Sequence, residues 1–343
     1  MRHAGNLTSI CDCADFGNST LTLPITNHSV YESILTTIGH TPLVKLKKLS
    51  AELGFQIYGK LEMTNPGGSI KDRTSLNIIE EEIAKGNITK NTTLVESSSG
   101  NMAIGLAQVC SYHNIPLVIV VDPKANKHTL KILDAYGVKV DMVEKASQNG
   151  GFLGARLQRV QELVAQLPNA IWTNQYGNKA NPKAHWQTMK EIYEDLPDVD
   201  YVFSATSTCG TLMGCADFIN SEHLNTKLIA VDAKGSVIFG DQPEERHIPG
   251  HGAGLPSQFL DKNAIHDVVH ITDKECVTGC HKLLKLESIL AGGSSGAVTT
   301  AIEKLKHKIP KHSTCVLILC DRGERRAQGR YQFFRRLWRQ YQT

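Results

Sequence analysis

The chain has 343 residues, 41 % of them hydrophobic and 21 % charged, with a formal net charge of +3. That balance excludes a mostly disordered chain, a collagen-like repeat and a disulfide miniprotein, and the length suggests roughly two domains at about 150 residues each. No apolar run approaches the ~20 residues that span a bilayer. Residues 1–30 hold one Lys/Arg cation, Arg2, and no continuous apolar segment. They read as a loose extension rather than a signal peptide, so the chain is expected in the cytoplasm. Cys110, Cys215, Cys315 and Cys320 sit in apolar segments, where Cys behaves as a small hydrophobe. Cys11 and Cys13 near His3, and Cys276 with Cys280, lack a second pair at ligand spacing, so no metal is expected.

From residue 55 onward, short apolar runs alternate with segments of helical period. Strands are expected over 56–61, 93–96, 116–121, 138–143, 201–205, 227–232, 267–271 and 314–320. Helices are expected over 71–85, 101–113, 128–136, 154–165, 182–195, 210–219, 273–287 and 295–307. Continuous apolar strands separated by amphipathic helices predict an α/β fold with parallel sheets covered on both faces, doubly wound rather than barrelled. Within 322–343, seven arginines stand against one acid, Glu324. With Phe333, Phe334, Trp338 and Tyr341 this tail reads as a basic amphipathic helix packing on the body or on a partner subunit. No nucleic-acid or membrane partner is expected.

Three strand-to-helix loops carry the chemistry, because ligands of open α/β sheets bind at that edge. In NPGGSIKDR (65–73), Lys71 opens a helix, where the helix field disfavours a cation and suits an amine of lowered pKa. ESSSGNM (96–102) offers hydroxyls and free amides for an anion, although an N-capping loop would look the same. SATSTCGT (204–211) is a phosphate cradle without the lysine of a Walker loop. No G-x-G-x-x-G follows the first strand, which argues against a dinucleotide enzyme.

With AGGSSGA (291–297), these loops occur in an order that resembles the fold-type II pyridoxal-phosphate enzymes, the cysteine synthase and cystathionine β-synthase group. The resemblance covers about 31–325. It implies a tryptophan synthase β-like α/β fold of two doubly wound domains with mainly parallel sheets, assembled as a homodimer. The smaller domain would comprise 31–42 and 65–175, and the larger 43–64 and 176–325, between the extension 1–30 and the tail 326–343. Pyridoxal 5′-phosphate would lie between them. By this resemblance Lys71 holds the cofactor covalently and is the catalytic base, and Asn101 bonds its phenolic oxygen. Ser207, Thr208, Cys209, Gly210 and Thr211 hold its phosphate, with Cys209 where a glycine is usual. Ser294 faces the pyridine nitrogen. Ser98, Ser99 and Gln175 match positions that hold a substrate carboxylate, and Gly252 and Ala253 lie in a closing loop. A hydroxyl at 294 cannot keep the ring nitrogen protonated as an aspartate would. That favours β-elimination and replacement over transamination.

Within the group, GGFLGAR (150–156), TNQYGN (173–178), ATSTCGT (205–211), IPGHGAG (248–254) and DRGER (321–325) are similar to N-(2-amino-2-carboxyethyl)-L-glutamate synthases. Those enzymes join O-phospho-L-serine and L-glutamate on the way to 2,3-diaminopropionate, for siderophores or peptide antibiotics. On this reading Arg156 and Tyr176 meet the leaving phosphate and His251 meets glutamate. The alternatives are a cysteine synthase, using O-acetylserine or O-phosphoserine with sulfide, and a cofactor-binding regulator without turnover.

Overall fold

The computed structural model describes residues 30–148 and 150–324. The N-terminal extension and the basic tail, with its expected helix, lie outside these residues. From Ser33 onward the described chain forms one compact unit.

The elements run β1 (Leu43–Lys45), α1 (Lys47–Leu53), β2 (Gln56–Lys60), α2 (Lys71–Ala84), β3 (Thr93–Ser97), α3 (Asn101–His113), β4 (Leu117–Val121), α4 (Lys127–Ala135) and β5 (Lys139–Met142). They continue α5 (Gly151–Gln166), β6 (Ala170–Trp172), α6 (Ala180–Asp195), β7 (Tyr201–Ala205), α7 (Gly210–Ser221), β8 (Lys227–Ala233), β9 (Asp267–Ile271), α8 (Asp273–Glu287), α9 (Gly293–Leu305) and β10 (Thr314–Ile318). Six strands form one sheet in the order β1-β2-β10-β7-β8-β9, and four form a second in the order β5-β4-β3-β6. Among the described strand pairs, only β1–β2 is antiparallel. This is the α/β architecture with mostly parallel sheets that the alternating pattern predicts.

Both sheets are covered by helices, which is why their central strands read as unbroken apolar runs. All five residues of β4 are buried. On one face of the larger sheet, α9 packs Ala297, Val298, Ala301 and Ile302 into a core with Phe203, Ile229 and Leu317. The neighbouring helix α8 opens with a capping box, Thr272 to Glu275, which satisfies two otherwise orphaned N–H groups. It then meets α9 where Gly279 and Gly296 face each other. A Cβ at either glycine would overlap the opposite backbone.

Three elements were not expected. The strands β1 and β6 have three residues each, too few for an alternation to show. The seven residues of α1 are too few to display a helical period. At the other end, β10 stops at Ile318 rather than at residue 320. Cys320 and Asp321 are thereby released from the sheet and turn towards the site.

Candidate active site

A cavity of about 650 Å³ opens where loops leave the carboxyl ends of strands from both sheets. The smaller sheet contributes Ser97–Met102 after β3, Lys124–Thr129 after β4, and Gln175 and Tyr176 after β6. The larger sheet contributes Ala205 and Ser207–Thr211 after β7, and Cys320 and Asp321 after β10. Ile70 and Lys71, Ser294, and His247–Gly250 from the long segment between β8 and β9 complete the wall.

Lys71 is the first residue of α2, and its backbone N–H donates to Ser69 Oγ at 3.2 Å. Burial lowers the pKa of its amine, and Cys320, Asp321 and Cys209 offset this in part. Burial pushes the thiols of Cys209 and Cys320 up to about 12. Both stay protonated near neutrality, so neither is a reactive thiolate. Ser294, on the first turn of α9, lines the cavity with Cys320, whose thiol pKa it helps to lower against burial. Asn101, opening α3, donates from Nδ2 to Asp321 Oδ2 at 2.8 Å. A carboxylate only accepts, so this contact orients the Asn101 amide.

The loop after β7 is shaped as a cradle. Cys209 has a left-handed backbone, φ 65°, and Gly210 begins α7. The Gly210 N–H donates to Thr208 Oγ1 at 3.2 Å, and the start of α7 lines the cavity, where the helix dipole favours an anion. Gly210 has no alternative at this point, since a Cβ would overlap the Asn181 side chain. Asn181, fully buried, donates to Gln175 O at 2.7 Å and to Thr208 Oγ1 at 3.2 Å. It accepts from Thr74 Oγ1 of α2 at 3.3 Å. One amide therefore joins the 207–211 loop, the Gln175 loop and the helix that carries Lys71.

Behind Lys71 the chain buries a charge network. Arg73 Nε lies 2.7 Å from Glu62 Oε2 and Arg73 Nη2 lies 2.7 Å from Glu191 Oε2, while Lys60 Nζ is 2.9 Å from Glu191 Oε2. Two cations face two anions with almost no solvent access, so each charge is compensated. His185 sits beside it, with Nε2 3.0 Å from Thr74 Oγ1 and Nδ1 3.4 Å from Thr188 Oγ1. Burial, with Lys71 and Arg73 nearby, holds its pKa well below the ordinary imidazole value, so it is neutral.

Of the residues singled out from sequence, Lys71, Ser98, Ser99, Asn101, Gln175, Tyr176, Ser207–Thr211, Ser294 and Arg156 all line this cavity. Arg156, on α5, also holds Asp122, its Nε 3.3 Å from Asp122 Oδ2. Burial and Glu96 raise the pKa of the Tyr176 phenol, with Arg156 and Arg246 opposing. His251, Gly252 and Ala253 are not on the cavity wall, and His251 is only 1 % exposed. The neighbours His247–Gly250 line the cavity instead. Gly252 turns the segment inward with φ +70°, and its N–H donates to Thr206 O at 2.8 Å.

Sequence reasoning missed Asn181 and Glu96. At the end of β3, Glu96 accepts from Ser97 N, Trp172 Nε1, Thr173 Oγ1 and Gln175 N at 2.6–3.3 Å. It pins the Gln175 loop to the sheet. Glu96 opens the ESSSGNM loop but its role, like that of Asn181, rests largely on partners distant in sequence. The missed wall at 124–129 was within reach of the strand-to-helix rule that found the other loops.

These groups fit a phosphate-bearing aldehyde cofactor. They provide an amine of lowered basicity, a helix start at 210–211, and neutral polar groups at Ser294 and Asn101. Bound through Lys71, such a cofactor supplies an electron sink for the bonds at an amino acid's Cα.

The description of pyridoxal-phosphate dependent enzymes matches residues 34–321. O-acetyl serine sulfhydrylase isoform 3 from Entamoeba histolytica is 31 % identical, with a TM-score of 0.84 over 91 % of this chain and 94 % of that one. An O-acetylserine dependent cystathionine β-synthase from Helicobacter pylori is 30 % identical, with a TM-score of 0.80 over 89 % of this chain and 100 % of that one. O-ureido-L-serine synthase is 28 % identical, with a TM-score of 0.80 over 88 % and 94 %. With its family shown over most of its length, the chain belongs to the pyridoxal-phosphate dependent enzymes, and pyridoxal 5′-phosphate is its cofactor.

Proposed function

We propose that the enzyme catalyses β-replacement on O-phospho-L-serine with L-glutamate, giving N-(2-amino-2-carboxyethyl)-L-glutamate and phosphate. The observation that carries this reading is the charge of the cavity. Lys71, Lys124, Lys127 and Arg156 line it, and Asp321 is the one carboxylate among the lining residues. A phosphate dianion and a dicarboxylic acid suit such a wall better than a neutral ester and sulfide.

In this reading Ser98, Ser99 and Gln175 hold the phosphoserine carboxylate. The Lys71 amine takes the Cα proton and later returns it. The Cβ–O bond breaks with its electron pair going to phosphate, which Arg156 and Tyr176 receive. The glutamate amine then forms the Cβ–N bond and gives up one proton. The Ser207–Thr211 cradle anchors the cofactor phosphate throughout. Ser294 offers a hydroxyl, not a carboxylate, to the ring nitrogen, which favours loss of a β-leaving group. Ile70, Met102, Leu153 and Ile248 on the wall limit water at the reacting atoms. The two sheets would act as the two domains of a homodimeric cytoplasmic enzyme.

The likeness to an O-acetyl serine sulfhydrylase at 31 % identity favours cysteine synthesis as the second reading. A substrate matrix separates the two. O-phosphoserine, O-acetylserine and serine are crossed with glutamate, sulfide and homocysteine, and products are identified by mass. The phosphoserine–glutamate adduct is the expected product. Arg156→Ala should weaken phosphoserine use roughly ten- to a hundredfold, the worth of a charge-assisted contact of about 1.5–3 kcal/mol, with cofactor content unchanged. A parent that prefers O-acetylserine and sulfide identifies a cysteine synthase.

A further inference from the structure

One stretch of the cavity wall is left unused by the reaction just described. The turn from β4 into α4 contributes Lys124, Asn126, Lys127, His128 and Thr129. No acid among the described residues pairs with either lysine. The nearest carboxylate in sequence, Asp122, is occupied by the Lys124 backbone N–H at 2.8 Å and by Arg156. The Lys124 ammonium lies 5.7 Å from the centre of the Phe152 ring, a contact that leaves its hydrogens available.

Lys127 is the first residue of α4, where the positive end of the helix makes a cation unfavourable. Its position costs helix stability and places a charge at the cavity. Asn126 caps the helix, accepting from His128 N at 2.9 Å. Thr129 is 4 % exposed and lines the cavity beside them. Two ammonium groups, with the Thr129 side chain beside them, make a basic stretch of wall on which no carboxylate lies. Asp321, the lining acid, is held by Asn101 near Lys71.

The other anions of the reaction already have places: the cofactor phosphate at 207–211, the serine carboxylate at Ser98, Ser99 and Gln175, and the leaving phosphate at Arg156 and Tyr176. We propose that the Lys124–Thr129 wall is the specificity subsite for the side-chain carboxylate of the second substrate, selecting an acidic amino acid as the nucleophile. This rests on the β-replacement reading and names the group that reading leaves unplaced. It also moves recognition of glutamate from the buried His251 to this wall.

The test uses the cofactor-loaded enzyme with saturating O-phosphoserine, and compares L-glutamate with L-glutamine, its neutral isostere. The parent should favour glutamate in kcat/KM. In Lys124→Ala/Lys127→Ala the glutamate KM should rise about tenfold, since each exposed lysine is worth up to about fivefold. The glutamine and phosphoserine KM values should stay within about twofold. Lys124→Arg/Lys127→Arg should restore the glutamate preference. Raising the salt should narrow that preference in the parent but not in the alanine variant. An unchanged glutamate-to-glutamine ratio in the alanine variant overturns the subsite while the β-replacement reading stands. If the parent makes no adduct with either amino acid but does with sulfide, the glutamate reading fails. The wall is then judged by glutarate as an inhibitor of the sulfide reaction: weaker inhibition of the alanine variant upholds the carboxylate subsite, and equal inhibition overturns it.

Discussion

The Asn181 side chain occupies the space that a side chain at position 210 would need, so the two positions are fixed together. Replacing Asn181 with alanine would leave the Gln175 carbonyl and the Thr208 hydroxyl without their donor. Each buried polar group so abandoned costs about 1–3 kcal/mol. Asn181→Ala should therefore lower the melting temperature by several degrees and weaken cofactor retention. Thermal unfolding and the cofactor dissociation constant measure the two effects. Wild-type cofactor affinity in this variant would mean that Asn181 does not shape the cradle. Lys71, Asn101 and Ser294 were legible because each sits in a short run of small or polar residues at a helix start. Asn181, the second residue of α6, lies in no such loop motif and shows its role only when α2, the Thr208 loop and the Gln175 loop meet around it. His251 was misplaced for a related reason. Its loop was identified, but which side of the turn faces the cavity is decided by the backbone at Gly252, whose N–H is tied to Thr206.

Helix α2 carries the reactive amine at its first residue and Arg73 two positions later. A helix start is the part most prone to fraying, and this one is held from below by the Glu62–Arg73–Glu191–Lys60 network. Removing one member of a buried charge cluster costs about 3–5 kcal/mol, because the partners remain buried and uncompensated. Arg73→Met should cost about that much in denaturant unfolding, and Arg73→Met/Glu62→Gln should recover part of it. Strict additivity of the two changes would show that the groups do not interact. At this scale the sequence was informative wherever an element was long enough to show a period: α3, β7, β9 and α8 match their expected limits at both ends. Failure came with the short pieces. Strand β6 is held by pairing to β3 and by the Glu96 contacts to Trp172 and Thr173, none of which a three-residue run can announce.

Across the whole molecule, the cavity depends on charged and polar groups buried between helices, and acid should disturb them in a definite order. His185 titrates first. Its native pKa lies well below the ordinary value of 6.5, because burial and the nearby Lys71 and Arg73 disfavour the imidazolium. Below about pH 6.5 the unfolded chain takes up a proton that the native protein does not, so stability falls as the pH falls. The slope approaches about 1.4 kcal/mol per pH unit for one proton. Glu191 acts later. Burial would raise its pKa, but Arg73 and Lys60 outweigh this and hold it at about 2. Its contribution is complete above the ordinary carboxylate value of 4.5 and is lost as the pH falls towards about 2. Urea unfolding at pH 7, 6 and 5 should therefore show a steady loss of stability in the parent. His185→Gln keeps a hydrogen-bonding side chain between Thr74 and Thr188 but cannot take the proton. Whatever its stability at pH 7, the decline between pH 6.5 and 5 should be shallower by close to one proton's worth. Equal slopes in the two proteins would mean that His185 takes up its proton as readily in the native state as in the unfolded chain. The charge network behind Lys71 would then hold an uncompensated cation, with His185 beside Arg73 and both near the reactive amine.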